Sequence, residues 1–420
     1  MKSLYERFDK SKGICTDSRK LRSGQIFFAL KGDNFNGNQF ANEALKNGAS
    51  AIVLDEIIEN LDYNNSDVFF VKNVLAHLQN FATYHRNKWG KTIIGITGSN
   101  GKTTVKELLF NVLSQGYSTH ATEGNYNNHI GVPLTLLNIR DSHDIAIVEM
   151  GANHIGEIKA LCEISLPDYG YITNFGLAHL EGFGGIEGVI KGKSELYEHL
   201  DKNNSISFVN PNDSIALKNC NSQNIEFTNG VNFFYKSGLL GVSFGNEEIL
   251  TNLTGSYQEN NVLAAITIGR NFELEDSKIA KGIANYIPQN NRGQIFKTGK
   301  NTIFLDAYNA NPTSMEASLR NAVNLYKKMP HVYIAGGLLE LGEYSKSQHQ
   351  RMIEIFQELE IENAWFIGKQ FEESQMPEKY YNYRDTAQAL EALRGKQIHG
   401  NFIWIKGSRS FALEALLDEL

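Results

Sequence analysis

The sequence predicts an α/β chain of three domains: a small α/β unit, a central domain built on a mostly parallel sheet, and a Rossmann-like C-terminal domain. Three observations carry this. At 420 residues the chain is too long for one ordinary hydrophobic core, so two or three domains are expected. From about residue 89 onward, apolar strand-like runs alternate with helical patterns, the order a parallel sheet with crossover helices requires. Residues 93–104, IIGITGSNGKTT, read as a buried strand, a glycine-rich turn and a helix start.

Residues 1–88 form the first unit. GQIFFAL (24–30), SAIVLD (50–55) and DVFFVK (67–72) are strand-like, QFANEALKNGA is helical, and a helix runs from Val74 to about Lys88. The polar run TDSRK, Thr16 to Lys20, reads as a turn.

The central domain, 89–298, opens on the glycine-rich turn. Gly98 and Gly101 let backbone N–H groups close around phosphate oxygens, Lys102 adds a point charge, and the Thr103 hydroxyl can complete a Mg²⁺ shell. Val105, Leu108, Leu109, Val112 and Leu113 follow at helical spacing. The general P-loop pattern asks for glycine where Ile96 stands, so TGSNGKTT is a variant form.

Further along, IAIVEMG (145–151) is a buried-type strand ending at Glu149, and GYITNFG (170–176) is another ending near Asn174. In open α/β sheets ligands sit at such carboxyl ends, and from one of them an acidic side chain can face a nucleotide's Mg²⁺. TEGNYNNHIGVPLTLL (122–137) places Asn125, Asn127 and Asn128 in one loop before a helix or turn shaped by Pro133. AHLEGFGG (178–185) reads as a glycine-rich loop carrying His179 and Glu181. GVIKGKSELYEHL (188–200) is a helix containing Lys193, which by itself reads as a solvated charge. SYQENNVLAAITIG (256–269) is a helix opened by Asn260 and Asn261, and IPQNNRGQIF presents Arg292 in a turn; both are surface features by default.

The third domain, 299–420, repeats strand and helix four times: TIFLDAY with PTSMEASLRNAVNLY, HVYIAGG with a helix from Ser345 to about Leu359, AWFIG with a helix over Thr386–Leu393, and FIWIKGS with a final helix. Pro312 falls near a first helical position, and Ser408 suits an N-cap. No GxGxxG follows the first strand, which argues against a dinucleotide role.

Composition limits the function. Hydrophobic residues at 41% and charged residues at 21% are globular values, and a net charge of -7 without a Lys/Arg cluster argues against nucleic-acid binding. There is no signal-peptide core and no run of membrane-spanning length, so a cytoplasmic chain without membrane insertion is expected. Cys15, Cys162 and Cys220 lie far apart and read as bystanders.

TGSNGKTT, EGNYNNHIGVP, EMGANHIGEI, ITNFGLAHLEGFG, DAYNANPTSM, ELGEYSKSQH and KGSR occur in this order along the chain. In this the chain resembles the Mur ligases, ATP-dependent amide-bond ligases of peptidoglycan synthesis, and TDSRKLRSGQIFFALKGDNFNG resembles their UDP-binding N-terminal domain. The resemblance implies that Gly98, Ser99, Asn100, Gly101, Lys102, Thr103 and Thr104 hold ATP, with Thr103, Glu149, His179 and a carbamylated Lys193 on Mg²⁺. It places Asn260, Asn261 and Arg292 on the adenine and phosphate sides, and Asp306, Tyr308 and Asn309 on a C-terminal domain that closes over the nucleotide. Thr16, Ser18 and Arg19 would hold the uridine end of the substrate, Asn127 and Asn128 would border its peptide end, and His349, Lys406 and Arg409 would face a cleft. Lys102, Lys193 and His179 would carry the catalysis.

The implied partners are ATP, a UDP-N-acetylmuramoyl-tripeptide and D-alanyl-D-alanine, and a monomer is expected. Three departures stand out. AGGLLELGE has Gly337 where the family carries Asp, and IKGKSE offers Lys191 as a competitor to Lys193. The Asp-Asn-Pro-Arg run of the diaminopimelate-adding relative is absent, which favours the dipeptide-adding branch. Rival readings are another muramyl-peptide ligase, a folylpolyglutamate synthetase, or, from a different class, a nucleotide-binding switch or silent scaffold.

Overall fold

A computed structural model describes residues 1–221, 223–396 and 398–420. They form two compact units, one comprising residues 1–95, 118–151 and 157–169, the other 96–117, 152–156 and 170–420.

The first unit opens with a parallel four-stranded sheet in the order Ile14–Cys15, Ile26–Phe28, Ala51–Leu54, Val68–Phe70. Phe27, Ile52 and Leu54 bury one face against Ala41 and Ala44 of the helix Ala41–Lys46. The TDSRK turn is a 3-10 turn, Ser18–Lys20, whose Asp17 carboxylate accepts from the Arg19 N–H. Helix Val74–Trp89 buries Val74, Leu78, Phe81, Ala82 and His85 on one stripe. Asn73 caps its start and Gly90, at φ 64, ends it in the left-handed region open to glycine. The same helix packs on helices Gly131–Leu137 and Glu157–Ser165. Its buried Arg86 bonds the Ser165 and Leu166 carbonyls and the Asp168 carboxylate, and Asp168 in turn accepts from Ile93 N at 2.7 Å. In this unit the start of strand Thr92–Thr97 lies beside strand Ile145–Glu149, which pairs in parallel with Thr119–Ala121.

Strand Thr92–Thr97 ends in the second unit, beside strand Tyr169–Ile172, then Ile206–Val209 and Gln223–Glu226. The helix that follows, Lys102–Leu113, packs on helices Glu259–Asn271 and Asp276–Asn285. A Cβ on Gly282 would lie 2.5 Å from the Val112 Cα, so glycine is required for that close approach. The C-terminal sheet runs Gln294–Lys297, Thr302–Asp306, Phe402–Lys406, His331–Gly336, Ala364–Ile367, Tyr381–Tyr383. Its first pair is antiparallel and the other pairs are parallel, around a core of Ile303, Leu305, Ile334, Trp365, Ile403 and Ile405.

Several expectations change. Residues 231–250 form an antiparallel sheet, Val231–Lys236, Leu239–Phe244 and Glu247–Leu250, where alternation of strand and helix was expected. The run at 178–185 contains a short helix, Leu180–Phe183, between His179 and Gly184, both at positive φ. The helix opened by Pro312 stops at Ala322, and the chain ends in the 3-10 turns Arg409–Phe411 and Leu413–Asp418 in place of a final α-helix. Ser408 precedes the first of these turns, but its side chain makes no capping bond.

Candidate active site

The phosphate-type loop is built by close backbone approach. At Gly98, φ is 137 and a Cβ would lie 2.0 Å from Thr173 Oγ1, so no side chain fits. Ser99 N donates to Asn174 O at 3.0 Å and Ser99 Oγ donates to Gly176 O at 2.7 Å, which fastens the loop to the chain leaving strand Tyr169–Ile172. Gly101, at φ 80, occupies the N-cap position of helix Lys102–Leu113 and has no side chain to satisfy the first N–H groups. Those donors and the helix dipole form an anion-binding end. Lys102 Nζ donates to Gly98 O at 2.6 Å and to Ser99 O at 3.2 Å, so the cation lies folded along the loop's own carbonyls. Asn261 adjoins the loop: a Cβ on Gly101 would lie 2.9 Å from Asn261 Oδ1. Asn261 is 5% exposed, so the surface reading of its helix start is corrected, and it donates to Gln258 Oε1. Asn260 accepts from Asn210 Nδ2 at 3.1 Å.

Lys193 overturns the solvated-charge reading, since it is 1% exposed, whereas the neighbouring Lys191 is exposed. Gly188 and Gly192 leave room for Phe183 against helix Ile186–Lys202, and Lys193 Nζ stands 5.0 Å from the centre of that ring. The ammonium donates to Ala152 O at 3.1 Å. Two positions on, Glu195 Oε1 accepts from Gly156 N at 2.6 Å. His179, at φ 53, is hydrogen-bonded through Nδ1 to the Glu340 carboxylate, and the Glu340 carbonyl accepts from Glu181 N. The His179 bond keeps the Glu340 carboxyl below the usual carboxylate range.

In the C-terminal domain Asp306 and Asn309 meet at Lys406, whose Nζ donates to Asp306 Oδ2 at 2.5 Å and to Asn309 O at 3.3 Å. The Arg292 guanidinium lies over the Tyr308 ring at 3.6 Å from its centre. His349 is fully buried, its Nε2 accepting from Leu338 N and its Nδ1 donating to Ser345 O, so it braces the domain core. Arg409 is paired with Glu414. At Gly337 a Cβ would lie 2.9 Å from Phe411 Cζ and 3.0 Å from Gln370 Oε1, so the space that a carboxylate would need is filled by those side chains.

In the first unit, Glu149 is 2% exposed at the end of its strand. Its N–H donates to Thr122 Oγ1, its Oε1 accepts from Asn127 Nδ2 at 2.8 Å, and its Oε2 is buried without a hydrogen-bond partner. A buried, unpartnered carboxylate oxygen is costly alone and suits a cation. Asn127 thus orients Glu149, and Asn128 Oδ1 accepts from Ile130 N and Gly131 N at the start of helix Gly131–Leu137. Thr16 and Ser18 are half-buried, while exposed Arg19 bonds Asp17 and holds that carboxyl below its ordinary range. Among the described residues, no three His, Cys, Asp or Glu side chains gather as a ready metal cluster. Sequence reasoning missed Thr173 and Asn311, whose contacts join positions far apart in the chain, and Gln258, which bonds Asn261 three positions on.

A phosphate-type loop on a parallel sheet, followed by a second, mostly parallel α/β sheet, defines a P-loop nucleotide-binding protein. Family models match in series: the Mur ligase family catalytic domain at residues 10–86, the Mur ligase middle domain at 96–269, and the Mur ligase glutamate ligase domain at 291–409. The chain belongs to the Mur ligase family. It is similar to the UDP-N-acetylmuramoyl-tripeptide--D-alanyl-D-alanine ligase of Bacillus subtilis, at 31% identity over 97% of this chain and 93% of that protein. Among solved structures, MurF from Acinetobacter baumannii superposes with a TM-score of 0.87 at 27% identity, covering 100% of this chain and 98% of that one. MurF from Thermotoga maritima, solved in complex with ADP, gives a TM-score of 0.85 at 26% identity, covering 99% of this chain and 97% of that one.

Proposed function

We propose that this chain is the ligase that joins D-alanyl-D-alanine to UDP-N-acetylmuramoyl-tripeptide at the expense of ATP, in cytoplasmic peptidoglycan precursor synthesis. The observation that carries the reading is the loop Gly98–Gly101, with glycine at both ends where no side chain fits, at the N-terminus of helix Lys102–Leu113, in a chain that matches a ligase of this name along 97% of its length.

A carboxylate is a poor acyl donor, because its charge repels a nucleophile and its oxygen leaves badly. The terminal carboxylate of the tripeptide attacks the γ-phosphorus of ATP, ADP leaves, and an acyl phosphate forms. The dipeptide amine then attacks the acyl carbon, phosphate leaves with the C–O electron pair, and the amine loses a proton as the amide forms. Loop N–H groups and Lys102 neutralise charge on the transferring phosphoryl oxygens, the main task in such transfers. Lys102 already lies along the loop, and it swings from the Gly98 and Ser99 carbonyls to the phosphate. Thr103, Glu149, His179 and a carbamate on Lys193 would hold Mg²⁺, which supplies further charge neutralisation; the free Glu149 Oε2 supports this assignment. Asn260, Asn261 and Arg292 serve the nucleotide, joined by Asp306, Tyr308 and Asn309, while Thr16, Ser18 and Arg19 serve the uridine end and Asn127 and Asn128 the peptide end.

An ADP-release assay tests the reading, with UDP-muramoyl-tripeptide plus D-alanyl-D-alanine run against folate plus glutamate and against no acceptor. Release that requires the dipeptide and the tripeptide is the expected result. Folate-dependent release would make the chain the synthetase, and acceptor-independent hydrolysis would make it a switch. Tripeptides ending in lysine and in diaminopimelate, run side by side, identify the third residue.

A further inference from the structure

The Asn100 side chain leaves the phosphate cradle for the C-terminal part of the chain. Its backbone is clamped from one side: Asn100 N donates to Asn174 Oδ1 at 3.1 Å, and Asn100 O accepts from Asn174 Nδ2 at 3.0 Å and from Thr173 Oγ1 at 2.5 Å. Its side chain points the other way, and Asn100 Oδ1 accepts from Asn311 Nδ2 at 2.7 Å across 211 positions of sequence. Asn311 is the N-cap of helix Pro312–Ala322, and its Oδ1 accepts from Ser314 N at 2.9 Å within a capping box. Both halves of the Asn311 amide are therefore used. Aspartate would keep the cap and lose the donor, as would serine. A second bond, Leu177 N to Thr313 Oγ1 at 2.9 Å, ties the chain after Asn174 to the same helix start.

We propose that Asn174, Asn100 and Asn311 form a relay through which the filled phosphate loop positions the C-terminal domain, with Asn100 and Asn311 as positioning residues and no direct ligand contact from the Asn100 side chain. The proposal rests on the ligase reading above. The geometry favours a relay over simple packing. Asn100 Nδ2 is buried without a partner and faces Gly176, where a Cβ would lie 2.8 Å away. An amide kept in that state is retained for the bond made by its oxygen. The helix that Asn311 starts follows directly on Asp306, Tyr308 and Asn309, so a shift of its first turn moves the strand end that carries them.

The test is hydrogen exchange on the full chain with and without Mg·ADP, for wild type, Asn100→Ala and Asn311→Asp. Asn100→Ala is the cleaner variant, because the clamping bonds to Asn174 and Thr173 come from its backbone. In wild type, Mg·ADP is expected to slow exchange at the first turn of helix Pro312–Ala322 by about fivefold or more. In both variants the loop at 98–104 remains protected by ADP, ADP affinity stays within about threefold, the helix loses its ADP response, and ligation falls by about tenfold or more. A helix response that survives in Asn100→Ala overturns the relay, as does a helix that exchanges faster in the variants even without nucleotide, the mark of a purely structural bond. Wild type that ligates while its helix ignores ADP overturns the relay alone. Wild type that binds no ADP overturns both the relay and the ligase reading.

Discussion

The Lys193 ammonium is 1% exposed, with the Ala152 carbonyl at 3.1 Å and the face of Phe183 among its neighbours. A charge is held this deep only where it is paired or hydrogen-bonded, so the position suits polar chemistry. In the proposed reading the neutral Lys193 amine adds CO₂ and loses a proton, which would give a carbamate anion able to bind Mg²⁺. Lys193→Ala should lower turnover by about 100-fold, the scale of losing a metal-supporting group, and added bicarbonate should not restore it. Labelled bicarbonate should give a carbamate carbon signal in wild type that the variant lacks. Normal turnover of the variant in an ADP-release assay sinks the assignment, and Lys191, exposed two positions away, is no substitute on geometric grounds. At this scale the sequence was least informative. A lone lysine in IKGKSE carries no mark of burial, because what buries it is Phe183 from a preceding short helix and the glycines at 188 and 192 that admit the ring.

The strand Thr119–Ala121 places His120 against His143, with ring centres 5.1 Å apart and planes 24° from parallel. Burial, reinforced by His143 and Arg140 and opposed by a bond to Thr135 O at 3.1 Å, pushes His120 down to about 4. Burial, Arg140 and Lys91 push His143 down as well, against the pull of Asp144. A base depressed in the folded state takes up its proton more readily unfolded, so this stability is present above the ordinary histidine range and is lost as pH falls toward 4. The His120 share is on the order of 3 kcal/mol. Urea unfolding between pH 7 and pH 4 should show the decline, and His120→Gln, which keeps an N–H donor for Thr135 O, should flatten it; an unchanged slope refutes the account. Elements of this kind were legible where burial wrote an apolar run, as in Thr92–Thr97 and Ile145–Glu149. They were not legible at the sheet edges. Gln294–Lys297 and Tyr381–Tyr383 are short and half-exposed, and Val231–Lys236 mixes exposed polar and partly buried aromatic positions, so none carries a buried-strand signature.

Over the whole molecule, the proposed substrates fall on separate sheets of the chain. Thr16 and Ser18, proposed for the uridine side, adjoin the N-terminal parallel sheet, whereas Lys102 begins a helix of the second unit. The order of motifs made this division legible, since each lies near a strand end or helix start that its local pattern marks. Partnerships such as Asn100 with Asn311 were not, because no local pattern specifies which distant amide will be met. Ligand-linked unfolding tests the division directly. A ligand that binds only the folded chain stabilises it by about 2.7 kcal/mol at a hundred times its dissociation constant. Mg·ADP and UDP-muramoyl-tripeptide should therefore each raise the melting temperature of wild type. Lys102→Ala should lose most of the nucleotide shift while keeping the UDP-substrate shift, and Arg19→Ala, exposed and outside the nucleotide loop, should do the reverse to a smaller degree. If Lys102→Ala abolishes both shifts, the two ends of the chain do not bind their substrates independently and the assignment of sites along it fails. If it abolishes neither, the loop at 98–104 is not where the nucleotide phosphates sit.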